Sequence, residues 1–221
     1  MADFDEALRR YYDQRADAYD DIYLRHDPAW RKDLESLAEE MTKALAGRSV
    51  LEVACGTGFW TEIVAKTVAQ VVAVDCSERM LEVARKRRKR NANVEYVLGS
   101  AYSLEDVTGR FDAGLANFWF SHVPKSRIEE FLSGLHHRLE KPAIVFMADN
   151  RYLPGIGGQL ITKPEIEDTF KLREGKDSSK YEVLKNYYDR KALERVFFPH
   201  GSQLKTHETQ YFWSIQYLTK Q

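Results

Sequence analysis

The hydrophobic positions of the chain form short apolar runs separated by amphipathic stretches, the pattern of strands alternating with helices. The apolar runs predict five strands, at about 49–54, 70–75, 94–98, 112–117 and 143–149. The stretches between them predict helices at about 59–68, 77–90 and 125–139. A helix at 189–197 and two strands at about 203–208 and 210–219 follow. This order predicts an α/β fold of the doubly wound type.

The segments on either side of the alternating core have patterns of their own. Apolar and aromatic residues recur along 3–24, which predicts a helix, and an Asp-Pro pair begins a second helix at about 28–46. After the fifth strand, the alternation is lost over 151–188, where 169–173 and 181–185 are expected to pair as a hairpin across the turn 174–177. No linker interrupts the pattern, so we expect a single domain over 1–221.

Composition argues against several functional classes. The 221 residues carry a net charge of −1, which disfavours a dedicated nucleic-acid-binding protein. No apolar run is long enough for a membrane span, and the acidic N-terminal residues lack the apolar region of a secretory signal. Two cysteines, Cys55 and Cys76, favour a reduced, cytoplasmic protein over a disulfide scaffold and are too few for a convincing metal site. We therefore expect no metal, no membrane and no nucleic-acid partner, and the oligomeric state stays open.

The turn after the first strand carries the candidate ligand site. Glu52 lies four positions before Gly56, and Gly56 and Gly58 form a Gly-x-Gly turn that leads directly into a helix. Such a turn lets the backbone approach a ligand closely. Asp75 ends the second strand, where a carboxylate can accept hydrogen bonds from both hydroxyls of a ribose; a helix cap is the alternative role. Dinucleotide-binding turns require a third glycine where this chain has Thr61, so that class is disfavoured.

The Glu-x-x-x-Gly-x-Gly turn and the downstream acid resemble motifs of the class I S-adenosylmethionine-dependent methyltransferases. The resemblance implies a Rossmann-like seven-stranded sheet, a cofactor-binding core at 48–150, S-adenosylmethionine as cofactor and S-adenosylhomocysteine as product. It implies that Gly56 and Gly58 approach the methionine part of the cofactor. Glu52 would then support the turn and the ammonium, and Asp75 would bind the ribose. A doubly wound domain with an ordinary glycine turn and no ligand is the alternative.

The same resemblance assigns further residues to the cofactor. Met80 matches a methionine that covers the adenine, with core packing as the alternative. Ser100 and Ala101 lie where similar enzymes carry an aspartate and an alanine, and a serine hydroxyl makes a weaker version of the bond to the adenine amino group. Asn117 ends the fourth strand and is a candidate for contact with the cofactor or the acceptor.

Residues 1–30 resemble a helical lid in small-molecule members of the family. Tyr12 and Tyr19 lie seven positions apart, so they share one helical face. The resemblance implies that these tyrosines close over the cofactor and the acceptor; a stripe of core-packing side chains is the alternative. A closed lid would disfavour a macromolecular acceptor.

Residues 117–124 follow the fourth strand, where the transferred methyl group is expected to point, and they supply aromatic walls. His122 is a candidate general base because an ordinary imidazole titrates near neutral pH. A packing or helix-capping role for His122 is the alternative.

An acceptor that is already an anion needs cations to place it rather than a base. Arg151, Lys171, Arg173 and Lys185 belong to the inserted segment that would overhang the pocket, although most such charges are solvated. The Trp-x-x-His-Val-Pro sequence and residues 182–187 resemble a bacterial subgroup that includes phosphonate O-methyltransferases. That resemblance implies substrate-side roles for His122 and Lys185.

These patterns predict methyl transfer from S-adenosylmethionine to an oxygen of a small metabolite, with anionic metabolites among the candidates. A protein or RNA methyltransferase and a non-catalytic cofactor-binding scaffold or regulatory protein are the alternatives. The basic run 85–90 would suit RNA, but a helix C-terminus also favours cations through the helix dipole.

Overall fold

The protein is described by a computed structural model that covers residues 2–87, 92–174 and 179–220. The α-helices of these residues are α1 (Ala2–Arg15), α2 (Pro28–Leu45), α3 (Phe59–Val64), α4 (Glu78–Arg87), α5 (Ile128–His137) and α6 (Arg190–Phe197). The strands are β1 (Ser49–Val53), β2 (Gln70–Asp75), β3 (Val94–Leu98), β4 (Phe111–Asn117), β5 (Leu139–Asn150), β6 (Leu160–Lys163), β7 (Ile166–Glu174), β8 (Lys180–Leu184), β9 (Gly201–Glu208) and β10 (Phe212–Thr219). Short 3-10 segments lie at Ala16–Tyr23, Phe120–His122 and Lys125–Arg127.

Seven strands form the central sheet in the order β3-β2-β1-β4-β5-β10-β9. Strands β1 to β5 pair in parallel, and β10 runs antiparallel to its neighbours β5 and β9. The strand order reverses between β1 and β4, and open α/β sheets bind ligands beyond the carboxyl ends of the strands at such a switch. The predicted α/β fold with a mostly parallel seven-stranded sheet is confirmed.

Helices cover both faces of the sheet because its parallel strands are apolar on both sides. Val50 and Leu51 of β1 are fully buried, yet they belong to opposite hydrophobic cores. Leu51 shares its core with Phe131 of α5 and Leu193 of α6, whereas Val50 shares the other with Met41 of α2. Each such side chain stabilises the fold by about 1.5–3 kcal/mol when buried. The strand ends that carry the site are therefore held rigidly from both sides.

The N-terminal lid is not the single continuous helix that the sequence predicts, because α1 gives way to the 3-10 segment Ala16–Tyr23. Side chains three positions apart share a face in a 3-10 helix, which directs Asp17 and Asp20 to the same side. Asp17 pairs with Arg79 at 2.7 Å, and Asp20 accepts a hydrogen bond of 2.5 Å from the Thr57 hydroxyl. The tighter winding thus fastens the lid to the glycine turn and to α4.

The inserted segment between β5 and α6 contains a separate three-stranded antiparallel sheet in the order β6-β7-β8. The predicted hairpin is confirmed as β7 and β8, with Arg173 opposite Tyr181. Residues 175–177 of its predicted turn lie outside the described residues. The sequence analysis did not predict β6, which is only the short segment Leu160–Lys163 after a glycine-rich loop. The insertion is therefore a small sheet rather than an isolated hairpin.

Local capping signals set the helix starts as the sequence predicts. The Asp27 carboxylate accepts a hydrogen bond of 2.9 Å from the amide of Ala29 at the start of α2. The Ser77 hydroxyl accepts one of 3.0 Å from the amide of Met80 at the start of α4. The predicted continuation of α4 and of its basic run over 88–90 lies outside the described residues. None of the described helices combines the length and the apolar character needed to span a bilayer.

Candidate active site

Two cavities open side by side at the carboxyl ends of the central parallel strands. The first cavity is lined by the turn after β1, the ends of β2 and β4, the loop 100–102 and the lid. The second cavity is lined by the lid, the segment after β4 and the insertion. The side chains that line both are aromatic or imidazole rings: Tyr12, Tyr19, Tyr23, Phe118 and His122. These five rings form a common wall between the cavities.

The two glycines of the turn have different roles. Gly56 has a φ of +56° and lines the first cavity, and a Cβ there would meet nothing within 4 Å. Its backbone therefore faces open space, as the sequence predicts. Gly58, with a φ of +74°, begins α3, and a Cβ there would lie 2.5 Å from the hydroxyl oxygen of Tyr96. Gly58 does not line the cavity, and its lack of a side chain leaves room for Tyr96 and for Ala84 of α4; its approach to a cofactor stays a prediction.

Asp75 connects the first cavity to the glycine turn. Its Oδ2 accepts a hydrogen bond of 2.8 Å from the Gly56 amide, and its Oδ1 accepts one of 2.9 Å from the Ser77 amide. Burial raises the pKa of Asp75 to about 6, although these two amides favour the ionised form. Each carboxylate oxygen can still accept a further hydrogen bond. The cap and the ligand-binding roles considered for Asp75 are thus compatible.

Two buried acceptors that line the first cavity lack a partner. Neither Oε2 of Glu52 nor Oδ1 of Asn117 has a hydrogen bond in the described part of the chain. Burial and, to a smaller extent, the charge of Asp75 raise the pKa of Glu52 to about 8, although the neighbouring Thr61 hydroxyl favours the ionised form. An unpaired buried polar atom costs about 1–3 kcal/mol, so these atoms favour a ligand that brings donors. An ammonium group has that character.

The remaining residues assigned to the cofactor also line the first cavity. These residues are Met80, Ser100 and Ala101. Met80 is only 3% exposed, so its side chain packs in the core and also lines the cavity. The Ser100 hydroxyl accepts a hydrogen bond of 3.2 Å from the Tyr102 amide. Its own hydrogen stays available to a ligand. The adenine contacts of these three residues stay predictions.

The lid tyrosines stack edge to face across the common wall. The Tyr12 ring centroid lies 5.6 Å from that of Tyr19 and 5.7 Å from that of His122. Burial raises the pKa of both tyrosines well above its usual value, so their hydroxyls stay protonated. The rings pack against one another, and closure of these tyrosines over a cofactor stays a prediction.

The contacts of His122 determine its tautomer. Nδ1 lies 2.7 Å from the carbonyl oxygen of Leu184, which can only accept, so Nδ1 carries the hydrogen. Nε2 is then an acceptor, and it receives a hydrogen bond from the Tyr12 hydroxyl at 3.0 Å. Burial and then the charge of Lys185 lower the pKa of His122 to about 3. The expectation of a near-neutral pKa is therefore wrong here, and a catalytic role for the neutral ring stays a prediction.

Lys185 forms a buried ion pair that the sequence analysis did not find. Its ammonium lies 2.8 Å from Oδ1 of Asp149 and donates to the Ser121 hydroxyl at 2.6 Å. Burial alone would raise the pKa of Asp149, but the Lys185 ammonium beside it lowers that pKa below its usual range. Asp149 ends the predicted fifth strand as Asp75 ends the second, which was a usable signal. The pair fastens the insertion to the central sheet at the edge of the second cavity.

The charged side chains of the second cavity are all basic. They are Arg15, Arg25, Arg151, Arg173 and Lys185, and no aspartate or glutamate is among the lining residues that the structure describes. Arg15 donates to the Tyr11 hydroxyl, Arg25 lies over the Trp30 ring, and Arg151 bonds to the carbonyl of Thr209. Arg151 also lies 3.8 Å from Oε1 of Glu208, and Lys185 pairs with Asp149, so the net positive character of the cavity comes from Arg15, Arg25 and Arg173.

Arg173 differs from the other cations of the second cavity. Within the described ranges, no hydrogen bond or ion pair engages its guanidinium. Its charge nevertheless perturbs the pKa of Tyr12, His122 and Tyr187, groups on different sides of the cavity. Lys171, which the sequence also suggested, is 1% exposed and donates to backbone carbonyls instead of lining the cavity. Arg173 is thus the cation best placed to bind an anion.

The sheet order, the glycine turn and the acid at the end of β2 define a Rossmann-like protein that binds a nucleoside-bearing cofactor. Residues 50–142 match the family described as a methyltransferase domain. This block carries the glycine turn and the acid that resemble motifs of the class I S-adenosylmethionine-dependent methyltransferases, whose cofactor is S-adenosylmethionine. The first cavity fits that cofactor, because its unpaired acceptors would take the ammonium and Asp75 would take the ribose hydroxyls. In the described residues, no group of His, Cys, Asp and Glu could hold a metal ion.

Curated methyltransferases are similar to this chain in sequence. A demethylmenaquinone methyltransferase of Tropheryma whipplei (strain Twist) is 37% identical over 129 residues, which cover 57% of this chain and 51% of the relative. The chain thus spans about half the length of this relative. A protein of the same name from Staphylococcus saprophyticus is 29% identical over 196 residues, with 80% and 77% of the two chains covered.

A solved structure shares almost the whole fold. The DhpI–SAH complex superposes with a TM-score of 0.77 and 23% sequence identity, covering 96% of this chain and 95% of that one. DhpI has also been solved as a complex described as DhpI-SAM-HEP. At this identity, the likeness shows the fold.

Proposed function

We propose that this protein transfers the methyl group of S-adenosylmethionine to an oxygen atom of a small anionic metabolite. The observation that carries the proposal is the charge of the second cavity, which has five basic and no acidic lining residues in the described chain. A cavity of one charge sign concentrates ligands of the opposite sign. The two cavities share the five rings that line their boundary, and transfer requires the acceptor oxygen to pass between these rings into contact with the methyl group.

The protonation states of the site favour an acceptor that is already ionised. S-adenosylmethionine, when bound, supplies an electrophilic methyl group on a sulfonium. His122 is neutral with a pKa lowered to about 3, so it is a weak base for an ordinary hydroxyl. Lys185 is engaged by Asp149. An oxyanion such as a carboxylate, phosphate or phosphonate needs no base, only cations that orient it, and Arg173 supplies a planar guanidinium suited to two oxygens.

The matched domain does not determine the acceptor. Residues 50–142 include much of the first cavity, whereas the basic residues of the second cavity come from the lid and from the segment after β5. The named substrate of the curated relatives therefore carries over only weakly. Tyr12 and Tyr19 of the N-terminal segment line both cavities and narrow the space for an acceptor, which favours a small acceptor over a protein or an RNA.

Matched acceptors test this proposal. The protein is incubated with S-adenosylmethionine carrying a labelled methyl group and with short phosphonates, phosphate esters and carboxylates. Neutral alcohols of the same carbon skeletons are the matched comparison, and quinols are tested beside them. We expect label only in anionic acceptors, recovered as their O-methyl esters; among these, the carboxylate esters are base-labile. Methylation of the neutral quinols alone would contradict the proposal and favour the activity named in the relatives, and labelled protein or RNA would favour a macromolecular acceptor.

A pair of variants links the activity to the cavity. Arg173→Met removes the charge-assisted hydrogen bond to the anionic acceptor, so it should raise the KM for that acceptor about 10–100-fold. Arg195→Met, on the exposed side of α6, is the matched control and should leave KM unchanged. The affinity for S-adenosylhomocysteine should be the same in both. Equal KM values in the two variants would remove Arg173 from acceptor binding.

A further inference from the structure

A glycine-rich loop lies against β7 and is held there by a buried cation. Lys171 is 1% exposed, and its ammonium donates to the carbonyl oxygens of Gly158 at 2.8 Å and Ile156 at 3.3 Å. A Cβ at Gly158 would lie 2.3 Å from the carbonyl oxygen of Leu172, so the loop backbone touches the strand backbone. Lys171 makes no ion pair with a carboxylate among the described residues. Its charge is instead satisfied by the loop that it holds.

The same strand face carries Arg173, two positions further along β7. Residues i and i+2 of a strand point to one side, so Lys171 and Arg173 both meet this loop. A Cβ at Gly157 would lie 3.0 Å from Nη1 of Arg173, 3.2 Å from Nη2 and 3.4 Å from Cζ. The Nη1–Nη2 end of the guanidinium therefore lies next to Gly157, in the space that a side chain at this position would occupy. Both Gly157 and Arg173 line the second cavity.

We propose that Gly157 is a positioning residue for the anion-binding guanidinium of Arg173, and that the Lys171-held loop is the rigid surface against which the guanidinium rests. This inference rests on the proposed function, since it takes the second cavity as the acceptor site. A guanidinium on a flexible stem binds two oxygens well only when its plane is fixed. Contact with the loop restricts the position of the guanidinium, and no hydrogen bond joins the two among the residues that the structure describes.

The absence of a side chain at position 157 is essential to this arrangement. Guanidinium atoms are the far end of a flexible side chain, so an added methyl group would displace them while the fold stays intact. Gly155 provides a matched comparison in the same loop. Its φ is +78° against +76° at Gly157, but a Cβ at Gly155 would meet nothing within 4 Å. Alanine at either position introduces a similar backbone strain, and only Gly157→Ala contacts Arg173.

The test measures anion binding rather than turnover. Methylphosphonate is titrated calorimetrically into the protein saturated with S-adenosylhomocysteine, with inorganic phosphate as a second probe. Gly157→Ala should weaken methylphosphonate binding about tenfold relative to Gly155→Ala, the scale of one hydrogen bond to a charged group. The two variants should share one thermal midpoint and one affinity for S-adenosylhomocysteine. Equal weakening in both would overturn the inference.

A double-mutant cycle identifies the route of the effect. If Gly157 acts through Arg173, then Gly157→Ala should change methylphosphonate binding no further in an Arg173→Met background. A loss that persists in that background would show a direct steric effect on the ligand and would contradict the inference.

Failure of the proposed function can be told apart from failure of this inference. If the wild-type protein binds neither probe, the anionic acceptor is wrong. The Nε–H resonance of Arg173 then decides the positioning question, because it should shift in Gly157→Ala and stay in place in Gly155→Ala. An unshifted resonance in both would refute the contact itself.

Discussion

The amide of Gly56 donates a hydrogen bond of 2.8 Å to Oδ2 of Asp75, so the glycine turn of β1 and the acid at the end of β2 form one unit. Oδ1 of the same carboxylate holds the Ser77 amide at the start of α4. The acid therefore shapes the first cavity as well as lining it. A substitution that removes only the charge of Asp75 should therefore affect the protein differently from one that also removes both acceptor oxygens.

Asp75→Asn should weaken binding of S-adenosylhomocysteine about 10–100-fold, because a charge-assisted hydrogen bond to the ribose is lost while one oxygen acceptor remains. Asp75→Ala should in addition lower the free energy of unfolding by about 1–3 kcal/mol, because two buried amides lose their acceptor. Calorimetric titration and urea denaturation measure the two quantities. Unchanged affinity in Asp75→Asn would refute the ribose assignment.

Glu52 should make the unliganded protein less stable as the pH rises. Its folded-state pKa is raised to about 8, above the ordinary value of about 4.5, so the folded state binds the proton more tightly. Its contribution to stability is thus full below pH 4.5 and is lost as the pH rises through 8. Glu52→Gln, which cannot ionise, should be more stable than the wild type at pH 9 and should bind S-adenosylhomocysteine more weakly. Denaturation curves at pH 5 and pH 9 check the sign, and parallel pH profiles would contradict it.

Removing one member of the buried ion pair should lower the free energy of unfolding more than replacing both members by apolar residues. Lys185→Met leaves Asp149 as an uncompensated buried charge and should lower the free energy of unfolding by about 3–5 kcal/mol. The double variant Asp149→Leu with Lys185→Met should recover much of that loss, since neither charge then remains buried. Urea denaturation of the single and double variants provides the comparison. A double variant as unstable as the sum of both single variants would show that the two residues act independently.

His122 should stay neutral across the physiological range. Its pKa is lowered to about 3, so the ring nitrogen resonances should not titrate between pH 5 and pH 8 and Nδ1 should keep its hydrogen. Because the unfolded value is about 6.5, the stability contribution of His122 is full above pH 6.5 and is lost as the pH falls toward 3. The exposed His137 is an internal reference in the same spectra. A His122 midpoint near 6.5 would restore it as a candidate general base.

Local spacing was sufficient to predict the parts of the site that follow directly from a strand. Gly56 and Asp75 each end a buried apolar run, and parallel strands bring such ends to one edge of the sheet. The hairpin of the insertion was equally local, because two apolar runs flank a turn. The lid was predicted as one helix because propensity does not reveal the contacts of Asp17 and Asp20, which accompany its change to 3-10 winding.

Other features depend on contacts between distant parts of the chain. Asp149 and Lys185 lie 36 positions apart and meet only because β8 returns to the end of β5. The neutral state of His122 results from burial under the lid and from the Lys185 charge, neither of which its sequence neighbours indicate. Lys171 looked like a solvated charge but is buried against a loop. Periodicity cannot show such pairings, since tertiary packing determines them.

The separation of the two cavities has an evolutionary consequence. The donor half is built from the strands and turns matched by residues 50–142, whereas the basic half is assembled from chain that precedes and follows that block. Mutations in the flanking segments can therefore change the acceptor specificity while the cofactor site stays unchanged. Related proteins can acquire different acceptors in this way and still bind the same methyl donor.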